Sequence, residues 1–211
     1  MKKKIKLLFQ GDSITHGFRN EEDCHDLGIR YVKFAAALIK DAYPDVEFEF
    51  INLGVCGNKV HNLADRLERD FIEIQPDIVS ILAGANDVWH HADDRSWIPN
   101  EKFENSYRTI LEGLRTRTNA KIMIMEPFLI PIEDKKFFRE DLNFKIDVIR
   151  ELALEYADVF LPTDGILWSE YICDDPLSYS YDGIHLTEKG AEFVGRKYFE
   201  YISPIIDSLV K

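Results

Sequence analysis

The chain has 211 residues, enough for one domain spanning 1–211 whose core needs no disulfide or metal staple. Hydrophobic residues make up 45% and charged residues 30%, an ordinary balance for a globular protein. The formal net charge of -12 argues against nucleic acid or an anionic membrane as partner, because both are polyanions.

The start, Met1-Lys2-Lys3-Lys4, has the basic character of a secretory leader. Lys6, however, interrupts an apolar run already too short for one, and residues 5–9 are predicted as a first strand. A helix is predicted over 30–42, ending ahead of Pro44. Residues 47–53 read as a second strand and 60–71 as a helix with Leu63, Leu67 and Phe71 on one face. A third strand over 78–82 precedes a helix over 103–114, whose apolar residues recur at 103, 107, 110, 111 and 114. After a strand over 121–125, Leu142, Ile146, Ile149, Ala153 and Tyr156 fall on one helical stripe. The last strand covers 159–161, and a final helix opens after Thr187, an N-cap with Glu188 in the first turn.

Short, nearly all-apolar strands alternating with helices predict an α/β fold. The expected form is a three-layer α/β/α sandwich with a central parallel sheet, flavodoxin-like in arrangement. Ligands of such sheets sit beyond the carboxyl ends of the strands. No apolar stretch approaches the ~18 residues of a membrane helix. Cys24, Cys56 and Cys173 are odd in number and lack CxxC spacing, so neither a zinc site nor a disulfide framework is expected. Free thiols in the cytoplasm are the simpler reading.

Three polar, glycine-bearing turns follow the first three strands: Gly11-Asp12-Ser13-Ile14-Thr15, Gly54-Val55-Cys56-Gly57-Asn58 and Gly84-Ala85-Asn86-Asp87. Glycine lets backbone N–H groups approach a ligand closely, and such groups can stabilise an oxyanion. Each turn alone is weak evidence, because strand-to-helix turns often contain Gly, Asn and Asp for conformational reasons; their convergence on one sheet edge points to a site. A fourth segment, Asp182-Gly183-Ile184-His185, lies just before the last helix. A serine nucleophile needs a base, and the base needs a carboxylate to fix its tautomer; one turn can present both Asp182 and His185. A DxxH segment is also often only a loop with a helix cap. His16, three residues beyond Ser13, is a rival base with no evident orienting acid.

Taken in order, Gly11-Asp12-Ser13, Gly57, Gly84-Ala85-Asn86-Asp87 and Asp182-Gly183-Ile184-His185 resemble the four blocks of the SGNH/GDSL hydrolase superfamily. The resemblance spans nearly the whole chain. It implies Ser13 as nucleophile, His185 as base and Asp182 as its orienting acid. The implied oxyanion hole combines the N–H groups of Ser13 and Gly57 with the Asn86 amide. Ile14 stands where many members have Leu, and Leu186-Thr187 where many have Pro after the histidine. The segments 7–15, Asn86-Asp87-Val88-Trp89, Met125-Glu126-Pro127-Phe128, 24–31 and Asp65-Arg66-Leu67 are similar to the acetylxylan-esterase-like carbohydrate acetylesterases.

The reading that follows is ester hydrolysis of small acyl, chiefly acetyl, groups on carbohydrates, with no cofactor or metal. The partner is a small-molecule or oligosaccharide ester; monomer and symmetric homo-oligomer stay open. Trp89, Phe128, Trp168 and Tyr171 are candidates to wall a sugar subsite, with core packing the equal alternative. A lysophospholipase- or thioesterase-like activity on longer acyl chains is the alternative on the same scaffold. A non-catalytic carbohydrate-binding protein is the alternative of another class. A phosphatase using Asp12 is discarded, since Ile14 breaks the DxD pattern.

Overall fold

The computed structural model describes residues 2–211. Five strands form one parallel sheet: β1 (Lys3–Gly11), β2 (Val46–Asn52), β3 (Ile78–Leu82), β4 (Lys121–Met125) and β5 (Val159–Leu161). Their order across the sheet is β2-β1-β3-β4-β5, the doubly wound arrangement the alternation predicts. Eight helices accompany them among the described residues: α1 (Ser13–His16), α2 (Tyr31–Ala42), α3 (Val60–Asp65), α4 (Ala85–Trp89), α5 (Asn100–Arg117), α6 (Arg139–Tyr156), α7 (Thr163–Tyr171) and α8 (Glu188–Val210).

The period-2 alternation of a strand distributes the core over two faces. Ile5, Leu7 and Phe9 of β1 face one layer, built from α2, α7 and α8. Leu8 of β1, with Val79, Ile81, Ile122 and Ile124, faces the other, built from α3, α5 and the later part of α6. Both faces are therefore covered, which is why β3, β4 and β5 carry so little polar sequence. Among the described residues no helix is long and apolar enough to cross a membrane.

Two differences from the sequence reading have local causes. The helix expected over 60–71 ends at Asp65 and resumes as a wide turn over Glu68–Ile72, where the Glu73 N–H reaches the Glu68 carbonyl at 2.9 Å. The break coincides with Arg66, whose guanidinium donates to the Leu53 carbonyl at 3.0 Å and to Asp70 at 2.7 Å, tying the segment back to the end of β2. The helix α7 was not predicted. Its buried residues Thr163, Asp164, Leu167 and Tyr171 include polar groups and make no clean apolar stripe, so periodicity carried no signal.

Register sets where the site lies. Phe9 pairs with Asn52, Gly11 with Leu82, and Leu82 with Met125. The carboxyl ends of the four longest strands thus stop at nearly one level, and the three glycine-bearing turns leave the same edge side by side.

Candidate active site

At the end of β1 the chain must turn sharply, and Gly11 is the residue that permits it. A Cβ there would run into the Leu82 carbonyl oxygen and the Thr15 hydroxyl. Asp12 then caps α1, its Oδ1 accepting from the Ile14 N–H at 3.0 Å, the usual task of an aspartate at this position. The cap fixes the backbone around Ser13.

The second turn is tied to the first by a buried asparagine that sequence reasoning did not single out. Asn52 donates from Nδ2 to the Thr15 carbonyl at 2.9 Å and accepts from the Gly54 N–H at 3.0 Å. The Val55 N–H adds a bond to the Gly11 carbonyl at 3.1 Å. Gly57 itself adopts a left-handed conformation, φ +76, which disfavours any side chain. The third turn joins through Asn86, whose Nδ2 donates to the Asn58 carbonyl at 3.1 Å. Asp87 joins it too, its Oδ2 accepting from the Val60 N–H at 3.1 Å.

The fourth segment is held by Ser180, also unanticipated. Its buried hydroxyl donates to the His185 carbonyl at 2.8 Å and accepts from the Gly183 N–H at 2.9 Å. The Ile130 N–H, beyond β4, donates to the Gly183 carbonyl at 2.8 Å and fastens the loop to the sheet edge. Thr187 caps α8 as expected, its hydroxyl accepting from the Gly190 N–H at 3.1 Å.

These supports bring Ser13, His185 and Asp182 into one line. Ser13 Oγ lies 3.0 Å from His185 Nε2, and His185 Nδ1 lies 2.7 Å from Asp182 Oδ2. The other carboxylate oxygen of Asp182 accepts from the N–H groups of Ile184 at 3.0 Å and His185 at 2.8 Å. Burial alone would raise Asp182, but the imidazole and the two N–H groups outweigh it and hold the carboxyl well below the usual carboxylate range. His185 is shifted upward, chiefly by its hydrogen bond to Asp182. Two neighbouring acids go the other way: burial pushes Asp12 up to about 6 and Asp87 up to about 7.

Two cavities meet at Ser13, Cys56 and His185. One, of about 270 Å³, is also lined by Asp12, Gly57, Asn86 and Trp89. Among the described residues, the N–H groups of Ser13 and Gly57 have no backbone or side-chain acceptor, and Asn86 commits one amide hydrogen to Asn58. Three donors are therefore free beside the serine. The second cavity, of about 290 Å³, runs between Ile14, His16, Phe18, Arg30, Tyr181 and Leu186. Among the described residues, no group of three or more His, Cys, Asp or Glu side chains is arranged to hold a metal ion.

Of the four aromatics expected at a subsite, the structure brings only Trp89 to these cavities, its ring 5.6 Å from that of His185. Phe128 is 1% exposed and belongs to the core. Tyr171 is buried against Tyr179. Trp168 is exposed on α7 but lies over Arg139, away from both cavities. Aromatics near a sheet edge serve core and site equally well, and nothing in sequence separates the two. His16 lines the second cavity yet has an acid partner after all: its Nε2 lies 3.1 Å from Glu21 Oε1, while Nδ1 accepts from the Phe18 N–H at 3.1 Å.

A parallel α/β/α sheet whose carboxyl edge presents a serine, a histidine and an aspartate in hydrogen-bonded series has the architecture of a hydrolase. A model of the GDSL-like Lipase/Acylhydrolase family matches residues 9–193, and the chain belongs to that family; it is a carboxylic ester hydrolase. It is 30% identical over 204 residues to an acetylxylan esterase of Geobacillus stearothermophilus, covering 93% of each chain. Its fold superposes on Axe2, an acetylxylan esterase from that organism, with a TM-score of 0.85 and 28% identity over 95% of both chains. Structures of Axe2 described as catalytic mutants carry changes at a serine, at an aspartate and at a histidine three positions after that aspartate. A protein described as a GDSL-like lipase from Parabacteroides merdae gives a TM-score of 0.86 at 30% identity, over 95% of this chain and 96% of the other.

Proposed function

We propose that this chain removes acetyl groups from carbohydrate esters through an acyl-enzyme on Ser13. One observation carries the reading: the Ser13–His185–Asp182 chain opens into the same cavity as three free hydrogen-bond donors. Ser13 Oγ attacks the ester carbonyl as His185 Nε2 takes its proton. The N–H groups of Ser13 and Gly57 and the Asn86 amide receive the developing oxyanion. His185 then returns the proton to the departing alcohol, and water, activated by the same imidazole, releases the acid. The aspartate–histidine spacing of three shared with the Axe2 catalytic mutants supports the assignment. The acetyl and carbohydrate preference rests on the acetylxylan esterase relative. The exposed thiols of Cys56 and Cys173 suit a reducing, cytoplasmic setting, with a small-molecule or oligosaccharide ester as the partner.

The test is a panel of acetylated xylo-oligosaccharides, acetylated monosaccharides and nitrophenyl esters of increasing acyl length. Acetyl esters are expected to give the highest kcat/KM, with octanoate at least about tenfold lower, a loss that a few misfitted methylenes can produce. A preference for long chains would transfer the assignment to a lipase or thioesterase, with the chain lying along Ile14, Phe18 and Leu186.

The same mechanism fixes a pH dependence. His185 must be neutral to accept the serine proton, and its hydrogen bond to Asp182 holds it protonated beyond the ordinary imidazole value of 6.5. Burial and Arg30 oppose that shift, while the charges of Asp182 and Asp12 add to it. Activity should therefore rise with pH along an acid limb centred above 6.5. In Asp182→Asn the residual activity should show that limb displaced to lower pH. An unmoved limb would point to a different titrating group.

A further inference from the structure

The second cavity has an element on its rim that the chemistry above does not use. Arg30, half-buried at the start of α2, sits between two exposed rings. Its guanidinium carbon lies 5.1 Å from the Phe18 centroid and 5.4 Å from that of Tyr181. All three residues line the cavity together with Ser13 and His185. They come from the turn after α1, the entry to α2 and the residue immediately before Asp182, so Tyr181 meets the other two from the far end of the chain.

Among the described residues, every other arginine donates at least one hydrogen bond to a carboxylate, a carbonyl or a side-chain amide. Arg30 has no such acceptor among them. In a chain with 38 acidic and 26 basic residues, partners for a guanidinium are plentiful, and the one arginine facing the serine lacks any. Even Glu188, which shares the adjoining groove with Arg30 and Lys33, forms no ion pair with it. Aromatic rings on either flank favour the cation without using its N–H donors. Those donors form a planar fork matched to a carboxylate.

We infer that Phe18, Arg30 and Tyr181 form a specificity clamp for the alcohol part of the ester, and that the alcohol is an acidic sugar whose uronate carboxylate pairs with Arg30. This rests on the proposed acylation of Ser13; because the donors proposed to hold the oxyanion line the first cavity, the acyl group goes there and the alcohol into the second. The two rings offer apolar faces to the pyranose, and the guanidinium selects the charged substituent. On the opposite side of the site Lys135 lies 4.8 Å from the Trp89 centroid, a second cation on an aromatic wall with no ion pair among the described residues. The rim therefore favours an anionic substrate although the chain as a whole repels one.

The experiment compares kcat/KM for two acetylated xylo-oligosaccharides of equal length, one neutral and one bearing a glucuronic acid branch. The wild type should prefer the acidic substrate by about tenfold or more at low ionic strength, the scale of one charge-assisted pair. Added salt should erode that preference, a readout that needs no variant. Arg30→Ala should bring the two substrates within about twofold, and Arg30→Lys should keep part of the preference as a point charge without the fork. Tyr181→Ala should weaken both substrates alike. Equal kcat/KM for the two substrates in the wild type, or a preference that survives Arg30→Ala, overturns the inference. Wild-type turnover of nitrophenyl acetate separates the two levels: if it proceeds without any acidic preference, only the clamp falls, and if no ester is turned over, both proposals fall.

Discussion

Ser13→Ala is expected to reduce ester hydrolysis by about 10⁴–10⁶ in kcat while leaving the fold unchanged. The size of the loss follows from where the serine stands. Among the described residues it is the one hydroxyl within hydrogen-bond reach of His185 Nε2, at 3.0 Å, at the point where the two cavities meet. Without it the donors proposed to hold the oxyanion would still meet an ester carbonyl, and an alanine enzyme should retain only what positioning and those donors confer. The fold should tolerate the change because the Ser13 hydroxyl makes no hydrogen bond other than that to His185 among the described residues. The cap of α1 is supplied by Asp12 instead. Thermal unfolding and circular dichroism of the variant check the second half of the expectation, and nitrophenyl acetate turnover checks the first. Activity above about one per cent of wild type would reassign the nucleophile. The same variant addresses the binding-protein alternative, since a protein that only binds sugar esters has no hydrolysis to lose.

The parts of this molecule legible in sequence are those where one physical constraint dominates. The strands β3, β4 and β5 were readable residue for residue because covering on both faces forces a nearly all-apolar run, broken only by the buried Ser80 and by Lys121 at the entry to β4. The line of Ser13, His185 and Asp182 was readable because its residues stand in blocks that resemble those of the SGNH/GDSL hydrolases; taken alone, the DxxH segment reads equally as a loop with a helix cap. The helices α1 and α4 looked like turns, since four or five residues after a glycine show no periodicity. Phe128 and Tyr171 misled because an aromatic ring fits a core as readily as a sugar face. Asn52 and Ser180, which hold the turns in place, were invisible for the opposite reason. A single buried amide or hydroxyl has no pattern, and its value appears only when its partners are known. Phe18, Arg30 and Tyr181 likewise gain meaning from proximity that the chain order conceals.

The rivalry between His185 and His16 is where sequence and geometry have most to say to each other. Proximity in sequence favours His16, but it closes α1 with both ring nitrogens engaged. Its Nδ1 accepts from the Phe18 N–H, which leaves Nε2 as the protonated nitrogen that donates to Glu21. A ring in that tautomer has no free lone pair for a serine proton. His185 arrives from the loop after residue 180 with Nδ1 directed at Asp182 and Nε2 at Ser13, the tautomer a general base requires. His185→Ala is therefore expected to be nearly as damaging as Ser13→Ala, and the double variant little worse than either, because the two act as one unit. Asp182→Asn should cost less, about 10⁴ where loss of the base costs about 10⁶, since serine, imidazole and oxyanion donors all remain. His16→Ala should stay within about tenfold of wild type in kcat, the range of a residue outside the proton path. Single-turnover measurements with nitrophenyl acetate isolate the acylation step, where the base acts first. An inactive His16→Ala beside an active His185→Ala would make Glu21 and His16 the working pair, and would leave the line through Asp182 a structural feature of the last loop.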